Sequence, residues 1–255
     1  MMSILKCRAQ ILRASSRGVV AVAVVSATAT LLSAQRPATP LSKLSSTAPP
    51  TTIVPKAGLV ITRSVRIKPG VYALPAKAST DSALITIRGN NITVDFTGVE
   101  LRGTSISANP DEATGIALLI DGGTNIRVRG LRARGYRFGI LARDTHGLSL
   151  DANDLSNSWK PRLFSVVEHE SLVDWLSFHH NEQHEWMRFG AGIYLDSVRG
   201  GVIRNNVIQQ SMNGLMMTST DSLRVVENNF SFNSGLGIGM YRSTYNVVTG
   251  NRVDY

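Results

Sequence analysis

The chain has 255 residues, with 27 Lys or Arg against 18 Asp or Glu and a formal charge of +9. Hydrophobic residues make up 43%, enough for a core and too many for a wholly disordered chain. The single cysteine, Cys7, excludes a disulfide framework and a Cys-rich zinc site, while the +9 raises nucleic acid as a partner until the charge is located.

Residues 1–34 open with Lys6, Arg8, Arg13 and Arg17 and no acid, followed by an apolar run from Val19 to Ala34. A basic start, a short apolar stretch and a small-residue end form the pattern of a secretory signal. The alternative is an uncleaved anchor, but a spanning helix needs ~20 mainly apolar residues. The signal predicts a secreted or periplasmic protein with no membrane contact after cleavage. Residues 35–56 hold Pro37, Pro40, Pro49, Pro50 and Pro55 among Ser and Thr. Locked φ angles and little to bury predict an extended linker there, with the folded domain running over 57–255. Four of the positive charges belong to the signal and three (Arg36, Lys43, Lys56) to the linker, which leaves +2 on residues 57–255. A nearly neutral domain argues against nucleic acid.

From Gly115 onward a short motif recurs: Gly115-Ile116-Ala117-Leu118, Gly139-Ile140-Leu141-Ala142, Gly192-Ile193-Tyr194-Leu195, Gly214-Leu215-Met216-Met217 and Gly237-Ile238-Gly239-Met240. The steps between neighbouring motifs are nearly equal, except for one longer gap between Gly139 and Gly192. Asn153, Asn206, Asn229 and Asn251 follow their glycines at a nearly constant offset, each after a second short alternating segment such as Val202-Ile203-Arg204. Such a repeat predicts coils of three short strands, with Gly and Asn at the corners because both tolerate left-handed backbone. Stacked coils pair like strand with like strand in parallel and bury a continuous core that no coil could bury alone. Asn205-Asn206, Asn228-Asn229 and Gly250-Asn251 are expected to form one corner ladder.

On these motifs, and on the opening Val65-Arg66-Ile67-Lys68-Pro69-Gly70-Val71-Tyr72, the chain resembles the right-handed parallel β-helix repeat proteins, pectate-lyase-like and NosD-like. The resemblance covers about residues 57–255. It implies an all-β, single-stranded right-handed parallel β-helix. It leaves activity open, since this fold hosts lyases, hydrolases, epimerases and non-catalytic modules.

The long gap predicts an insertion over about 159–189. It contains four of the five histidines (His169, His179, His180, His184), all three tryptophans (Trp159, Trp175, Trp186) and five acids (Glu168, Glu170, Asp174, Glu182, Glu185). Ser165 with Glu168, and Ser171 with Asp174, read as capping boxes, so the insertion is expected to be partly helical. Val173, Leu176 and Phe178 would pack it on the solenoid wall. Trp175, Leu176 and Phe178 read as anchors of the insertion rather than sugar platforms, Trp159 and Trp186 flank it and would close its base, and Trp186 and the coil residue Tyr194 are candidate substrate contacts. His180 and His184 are the candidate metal pair, although the stretch departs from H-E-x-x-H because Glu182 stands one place late. No cofactor is implied with certainty; Ca²⁺ is a candidate at Asp196 or Asp221, where the alternative is a structural corner aspartate.

Arg127, Arg129, Arg132, Arg134, Arg137 and Arg143 crowd into one short stretch. Arg127 and Arg129 alternate around Val128, and Arg132 and Arg134 around Ala133, so each pair should point outward. Guanidinium forks suit the carboxylates of an acidic polysaccharide or other glycan, and the alternative is a solvated strand face. Asp144, His146, Glu185 and Arg188 are the candidate catalytic residues; Asp144 and His146 resemble a base–orienter pair, and the alternative for that stretch is an ordinary turn. Asp144-Thr145-His146-Gly147 is similar to the D-P-H-D motif of alginate epimerases on this fold only in its Asp and His. The chain is also expected to continue beyond Tyr255, because an open solenoid end leaves an unpaired edge. The sequence therefore leaves two functions open. One is an exported β-helix protein that binds and processes an acidic polysaccharide as lyase, uronate epimerase or glycoside hydrolase. The other is a non-catalytic binding or scaffold module of the cell envelope, as NosD-like proteins support copper-site maturation. Oligomeric state is left open.

Overall fold

The computed structural model describes residues 50–80, 82–103, 109–162, 164–166, 168–169 and 181–254. The signal, Cys7 and most of the linker lie outside them, as do Trp175, His179 and His180. Sixteen strands follow in chain order: β1 (Thr51–Ile53), β2 (Leu59–Ile61), β3 (Val65–Ile67), β4 (Gly70–Ala73), β5 (Ala83–Ile87), β6 (Thr93–Arg102), β7 (Ile116–Asp121), β8 (Arg127–Arg134), β9 (Phe138–Arg143), β10 (His146–Asp151), β11 (Ala191–Asp196), β12 (Arg199–Arg204), β13 (Leu215–Thr218), β14 (Asp221–Val226), β15 (Ile238–Tyr241) and β16 (Val247–Thr249).

These strands form two parallel sheets of a β-helix. Sheet A has the order β1-β3-β6-β8-β10-β12-β14-β16, with β4 beside β6, and sheet B the order β15-β13-β11-β9-β7-β5-β2. From β5 onward, odd and even strands alternate between the sheets because each coil contributes one strand to each. A third face is formed by β4 and the second halves of β6 and β8, then by single parallel bridges Arg132–Asp154, Asp154–Val207, Val207–Asn229 and Asn229–Arg252. The expected third strand thus shrinks to a bridge in later coils. One expectation is corrected at the start: β1 lies within the segment read as linker and pairs with β3, so the solenoid begins inside the Pro-rich arm. Its Ile53 side chain packs against the core, which gives that tripeptide a reason to order.

Inward residues stack in rows. Leu118, Ile140, Ile193, Leu215 and Ile238 share one register through sheet B, and Val94, Val128, Leu150, Ile203, Val225 and Val248 share another through sheet A. Most of them are fully buried, and Val248 in the last described coil is exposed.

Corners require positive φ, and the sequence supplies it in rows. Asp144, Ser197, Ser219 and Arg242 adopt φ 47 to 56° between sheets B and A. At Gly123 in the same corner, a Cβ would meet the Gly89 carbonyl oxygen, so only glycine fits. After sheet A, Ala152, Asn205 and Glu227 turn at φ 54 to 57°, and the next residue of each coil points inward. These inward residues form the expected asparagine ladder. The Asn153 amide donates to Asn206 Oδ1, Asn206 to Asn228 Oδ1, and Asn228 to Asn251 Oδ1, each at 2.9 Å. Asn206, Asn228 and Asn251 each also accept a backbone N–H of the preceding coil, so buried corner amides are satisfied from coil to coil.

The insertion leaves after Trp159 and returns over the outer face of sheet B. That face is apolar: Ile116, Leu119, Phe138, Leu141, Tyr194 and Met216 form a second cluster with Trp186 and Ala191. An apolar outer face needs a cover, and the Trp186 segment of the insertion provides it. Ser165–Glu168 is not a helix start. Val166 and His169 instead exchange both backbone hydrogen bonds, a tight turn. Among the described insertion residues the helical element is a 3₁₀ turn, Glu185–Arg188. The capping box at Ser171 and the stripe Val173, Leu176 and Phe178 lie outside the described residues.

Candidate functional site

The six clustered arginines do not share a face. β8 bends at Gly130, φ 70°, so Arg127 and Arg129 project from sheet A while Arg132 and Arg134 project from the third face. Arg137 precedes β9, and Arg143 ends it on sheet B. The expected outward alternation holds, since Val128 and Ala133 are buried between exposed or half-buried arginines. The single stripe is corrected to four places, because each coil turns three corners and the stretch runs through more than one of them.

Most of these cations meet acids one coil away. On sheet A the row Arg66, Asp95, Arg129, Asp151, Arg204 alternates in sign along the solenoid axis. Arg129 bonds Asp95 at 2.8 Å, and Arg204 bonds Asp151 at 3.0 Å. Burial is the largest single influence on Asp95 and opposes its charge, but Arg129 and the Thr97 hydroxyl and amide together outweigh it and hold the carboxyl at about 2. On the third face Arg134 bonds Asp154 at 2.7 Å, and Arg132 lies 3.6 Å from the same carboxylate. On sheet B, Asp121 receives Arg143 at 2.7 Å and Arg88 at 2.6 Å. The Arg143 hydrogen bond is the main reason the Asp121 carboxyl is held below its ordinary range.

Three cations on sheet A make no ion pair, although Arg66 stands in register beside Asp95. The exposed side chains of Arg66, Arg127 and Arg224 make no hydrogen bond or ion pair among the described residues. Arg199, exposed at the start of β12, faces Asp221, whose carboxylate is already engaged by the Thr244 amide at 2.7 Å and hydroxyl at 2.9 Å. Beside it the B–A corner opens into a groove lined by His146, Ser197, Arg199, Ser219, Asp221 and Arg242. The outer face of β8, β10, β12 and β14 thus carries a surplus of guanidinium groups and no Phe, Tyr or Trp ring.

The catalytic candidates do not assemble. Asp144 and His146 are both exposed on either side of the buried Thr145, and no hydrogen bond joins them. His146 borders the corner groove, where Arg199 and Arg242 are its neighbours. Glu185 accepts the Gln183 amide at 2.9 Å, closing its own turn, and Arg188 lies over the Phe189 ring at 5.9 Å. Arg188 precedes the first residue of β11, whereas Asp144 follows the last residue of the neighbouring β9. No hydrogen bond or ion pair among the described residues joins Glu185 or Arg188 to Asp144 or His146.

Trp186 and Tyr194 offer no face to a sugar. Trp186 is 7% exposed and Tyr194 is fully buried. The Tyr194 hydroxyl is bonded by Asn181 at 3.2 Å and lies 3.1 Å from the Thr218 hydroxyl, and burial is the main influence that pushes its pKa up. Asn181 also bonds Thr218 at 2.8 Å and accepts the Trp186 amide at 2.9 Å, which fastens the insertion to sheet B. The candidate substrate contacts are thus corrected to packing residues, with Trp186 of the insertion lying against the sheet B layer that contains Tyr194. Asn181 escapes sequence reasoning, because nothing in its local sequence signals that its amide is buried.

Metal chemistry finds no gathered ligands among the described residues. His184 Nδ1 is 3.6 Å from Asp196, its one acidic neighbour there, and its candidate partner His180 lies outside them. Asp196 is also bonded by the Ser197 hydroxyl, and Asp221 by Thr244, so both read as corner aspartates rather than a shared Ca²⁺ site. Among the described residues no group of three or more His, Cys, Asp or Glu converges.

A family model described as periplasmic copper-binding protein (NosD) matches residues 75–255. No curated protein and no solved structure gives a match. Copper asks for imidazoles or for soft thiolate and thioether sulfurs in one shell. The described residues do not fit it: His146 sits among cations, His184 has one carboxylate, and Met216 is packed in the apolar layer under the insertion. No helix among the described residues is long and apolar enough to cross a membrane.

Proposed function

The chain belongs to the NosD family, a family of periplasmic β-helix proteins, and from that premise we propose that it is a non-catalytic module that docks an acidic partner protein of the cell envelope on the outer face of sheet A. The observation that carries this reading is the charge pattern of that face. Its acids are consumed in arginine ladders, while Arg66, Arg127 and Arg224 hold their guanidinium groups in solvent without an ion pair among the described residues. Such a face is preorganised by parallel strands, repels cationic partners, and speeds encounter with acidic ones. The lack of any hydrogen bond or ion pair joining Asp144 or His146 to Glu185 or Arg188 among the described residues supports binding over turnover. Copper, which the family description names, has no ligand set among the described residues, so the proposed role is to support assembly around a partner rather than to hold the ion.

An acidic polysaccharide is the second reading, favoured by the match between guanidinium forks and uronate carboxylates. Sugar rings are commonly gripped by aromatic faces. The outer face of β8 to β14 on sheet A presents no Phe, Tyr or Trp ring, and Trp186 and Tyr194 are buried, so the protein partner is favoured. The two readings separate by titrating the mature chain with poly-L-glutamate and with polygalacturonate at several salt concentrations. Docking of an acidic polypeptide predicts salt-sensitive binding to poly-L-glutamate and unchanged polygalacturonate length. Shortened or unsaturated polygalacturonate overturns the non-catalytic reading.

A further inference from the structure

Arg137 differs in kind from the other arginines of its cluster. Its backbone is locked into the mouth of sheet B: its N–H donates to Gly115 O at 3.0 Å, and its carbonyl accepts from Ala191 at 3.2 Å. Gly190 packs so closely that a Cβ there would meet the Arg137 carbonyl oxygen. The side chain is half-buried, and its guanidinium carbon lies over the Trp159 ring, 5.3 Å from the centroid. Trp159 is itself fixed, donating from Nε1 to Asp111 O at 2.9 Å, with its ring tilted against Phe189 at 6.5 Å. The base of the insertion therefore holds the guanidinium by stacking. No carboxylate among the described residues pairs with it, and its Nε is buried without a hydrogen-bond partner.

That is an unusual state for a guanidinium. A buried donor without an acceptor costs free energy comparable to a lost hydrogen bond, more for a charged group. Every other arginine of the cluster either pairs with acid or stands in solvent. The Arg137 group also borders a groove rather than packed protein. The groove is lined by Ala78, Thr80, Thr114, Gly115 and Phe138 besides Arg137. The segment before it is held down at Gly115, where a Cβ would meet Lys77 O and the Ala76 side chain, and by the Thr114 hydroxyl on Ala76 O at 3.3 Å. The walls are thus set before any ligand arrives, and they carry hydroxyls beside the cation.

We propose that the groove at Arg137 is a binding site for a compact oxyanion, a carboxylate, sulfate or phosphate group, gripped through Nε and the adjoining Nη of the Trp159-stacked guanidinium. The Nε–Nη edge presents two parallel N–H groups, which match two oxygens of one oxyanion. The Trp159 face prevents the fork from rotating away, and the Thr80 hydroxyl can donate to a remaining oxygen. The ligand would satisfy the orphan Nε–H and neutralise a charge now partly stripped of water. This site is at the opposite end of the sheet B strands from the B–A corner and does not depend on the sheet A docking reading.

The test is isothermal titration of the full mature chain with sodium phosphate, sulfate and galacturonate in a constant chloride background, alongside Arg137→Met, Arg137→Lys and Arg127→Ala. Binding of at least one of the three anions with a Kd of about 1 mM or tighter is expected for the wild type. Arg137→Met should weaken it at least about tenfold, which is ~1.4 kcal/mol. Arg137→Lys, which keeps the charge and loses the fork, should fall between. Arg127→Ala should bind as wild type, so failure of sheet A docking leaves this result untouched. Thermal melting gives a second readout: the bound anion should raise the midpoint of the wild type and not of Arg137→Met. Three anions that all fail to bind, or an Arg137→Met protein that binds as tightly as wild type, overturn the proposal. Should Arg137→Met not fold, Arg137→Lys carries the same decision, since a generic surface charge effect would leave it unchanged.

Discussion

Replacing Asn206 with alanine removes one rung of the corner ladder and gives the most direct reading of what holds the coils in register. The side chain is fully buried. Its amide donates to Leu150 O at 3.1 Å and to Asn228 Oδ1 at 2.9 Å, and its Oδ1 accepts the Asn153 backbone N–H at 3.1 Å and side-chain amide at 2.9 Å. Alanine leaves the Asn153 backbone N–H without an acceptor in a place water does not reach, a cost of ~1–3 kcal/mol. Loss of the other bonds adds about 1 kcal/mol each where the partner keeps no alternative. Asn228 Oδ1 retains the Asn206 backbone N–H, and the Asn153 amide retains Val128 O, so the total is about 3–5 kcal/mol rather than the full sum. Asn251→Ala is the internal control. Asn251 is partly exposed at the last described rung, and water can replace its amide there, so its loss should be about 1 kcal/mol. Urea unfolding followed by circular dichroism gives both numbers, and hydrogen exchange at the Asn153 amide locates the damage. A loss below ~1 kcal/mol for Asn206→Ala, or one equal to that of Asn251→Ala, would refute the ladder as a structural element.

Other outcomes follow from the same structure. Asp95 titrates at about 2 in the folded chain, below its ordinary value, so its contribution is complete above the unfolded pKa near 4 and is lost as pH falls towards 2. Asp95→Asn should remove that acid-limb loss, on the order of 1 kcal/mol after solvent screening of Arg129, and a stability–pH curve unchanged in shape would contradict the assignment. Trp186→Ala should cost about 3 kcal/mol and raise the exposure of Tyr194 to solvent quenchers without changing polyanion binding. A selective loss of binding with unchanged stability would restore Trp186 as a contact residue. His146→Ala and His184→Ala should leave Cu(II) uptake by the mature chain unchanged in equilibrium dialysis, and a lost equivalent of copper in either would place a ligand where none converges here.

The solenoid is legible because its grammar repeats. Gly, a short alternating strand and a corner Asn recur at nearly fixed spacing, and the pairing of β11, β13 and β15 follows that spacing residue for residue. The inward or outward sense of Arg127, Val128 and Arg129 follows from period-two alternation alone. What the sequence hides lies where two distant segments meet. Nothing in the spacing of Arg127 to Arg143 tells that Gly130 turns the chain between faces, so one stripe is expected where four environments exist. Nor does local sequence reveal Asp95 and Asp154 waiting one coil away to neutralise Arg129 and Arg134. Tyr194 reads as a substrate contact because outward positions on a solenoid usually face water. The apolar outer row Leu119, Leu141, Tyr194 and Met216 is the signal that this face is covered. Arg137 groups with the outward arginines by sequence, and only its stacking on Trp159, one coil later, sets it apart.

The central claim, that sheet A docks an acidic polypeptide through guanidinium groups its own ladders leave over, is tested most directly by one titration. The mature chain and its Arg66→Ala/Arg127→Ala/Arg224→Ala variant are titrated with poly-L-glutamate at two salt concentrations. The account predicts measurable binding by the wild type that weakens with salt, and at least about a tenfold loss in the variant with an unchanged melting temperature. Equal affinity in the two proteins, or wild-type binding indifferent to salt, would contradict it.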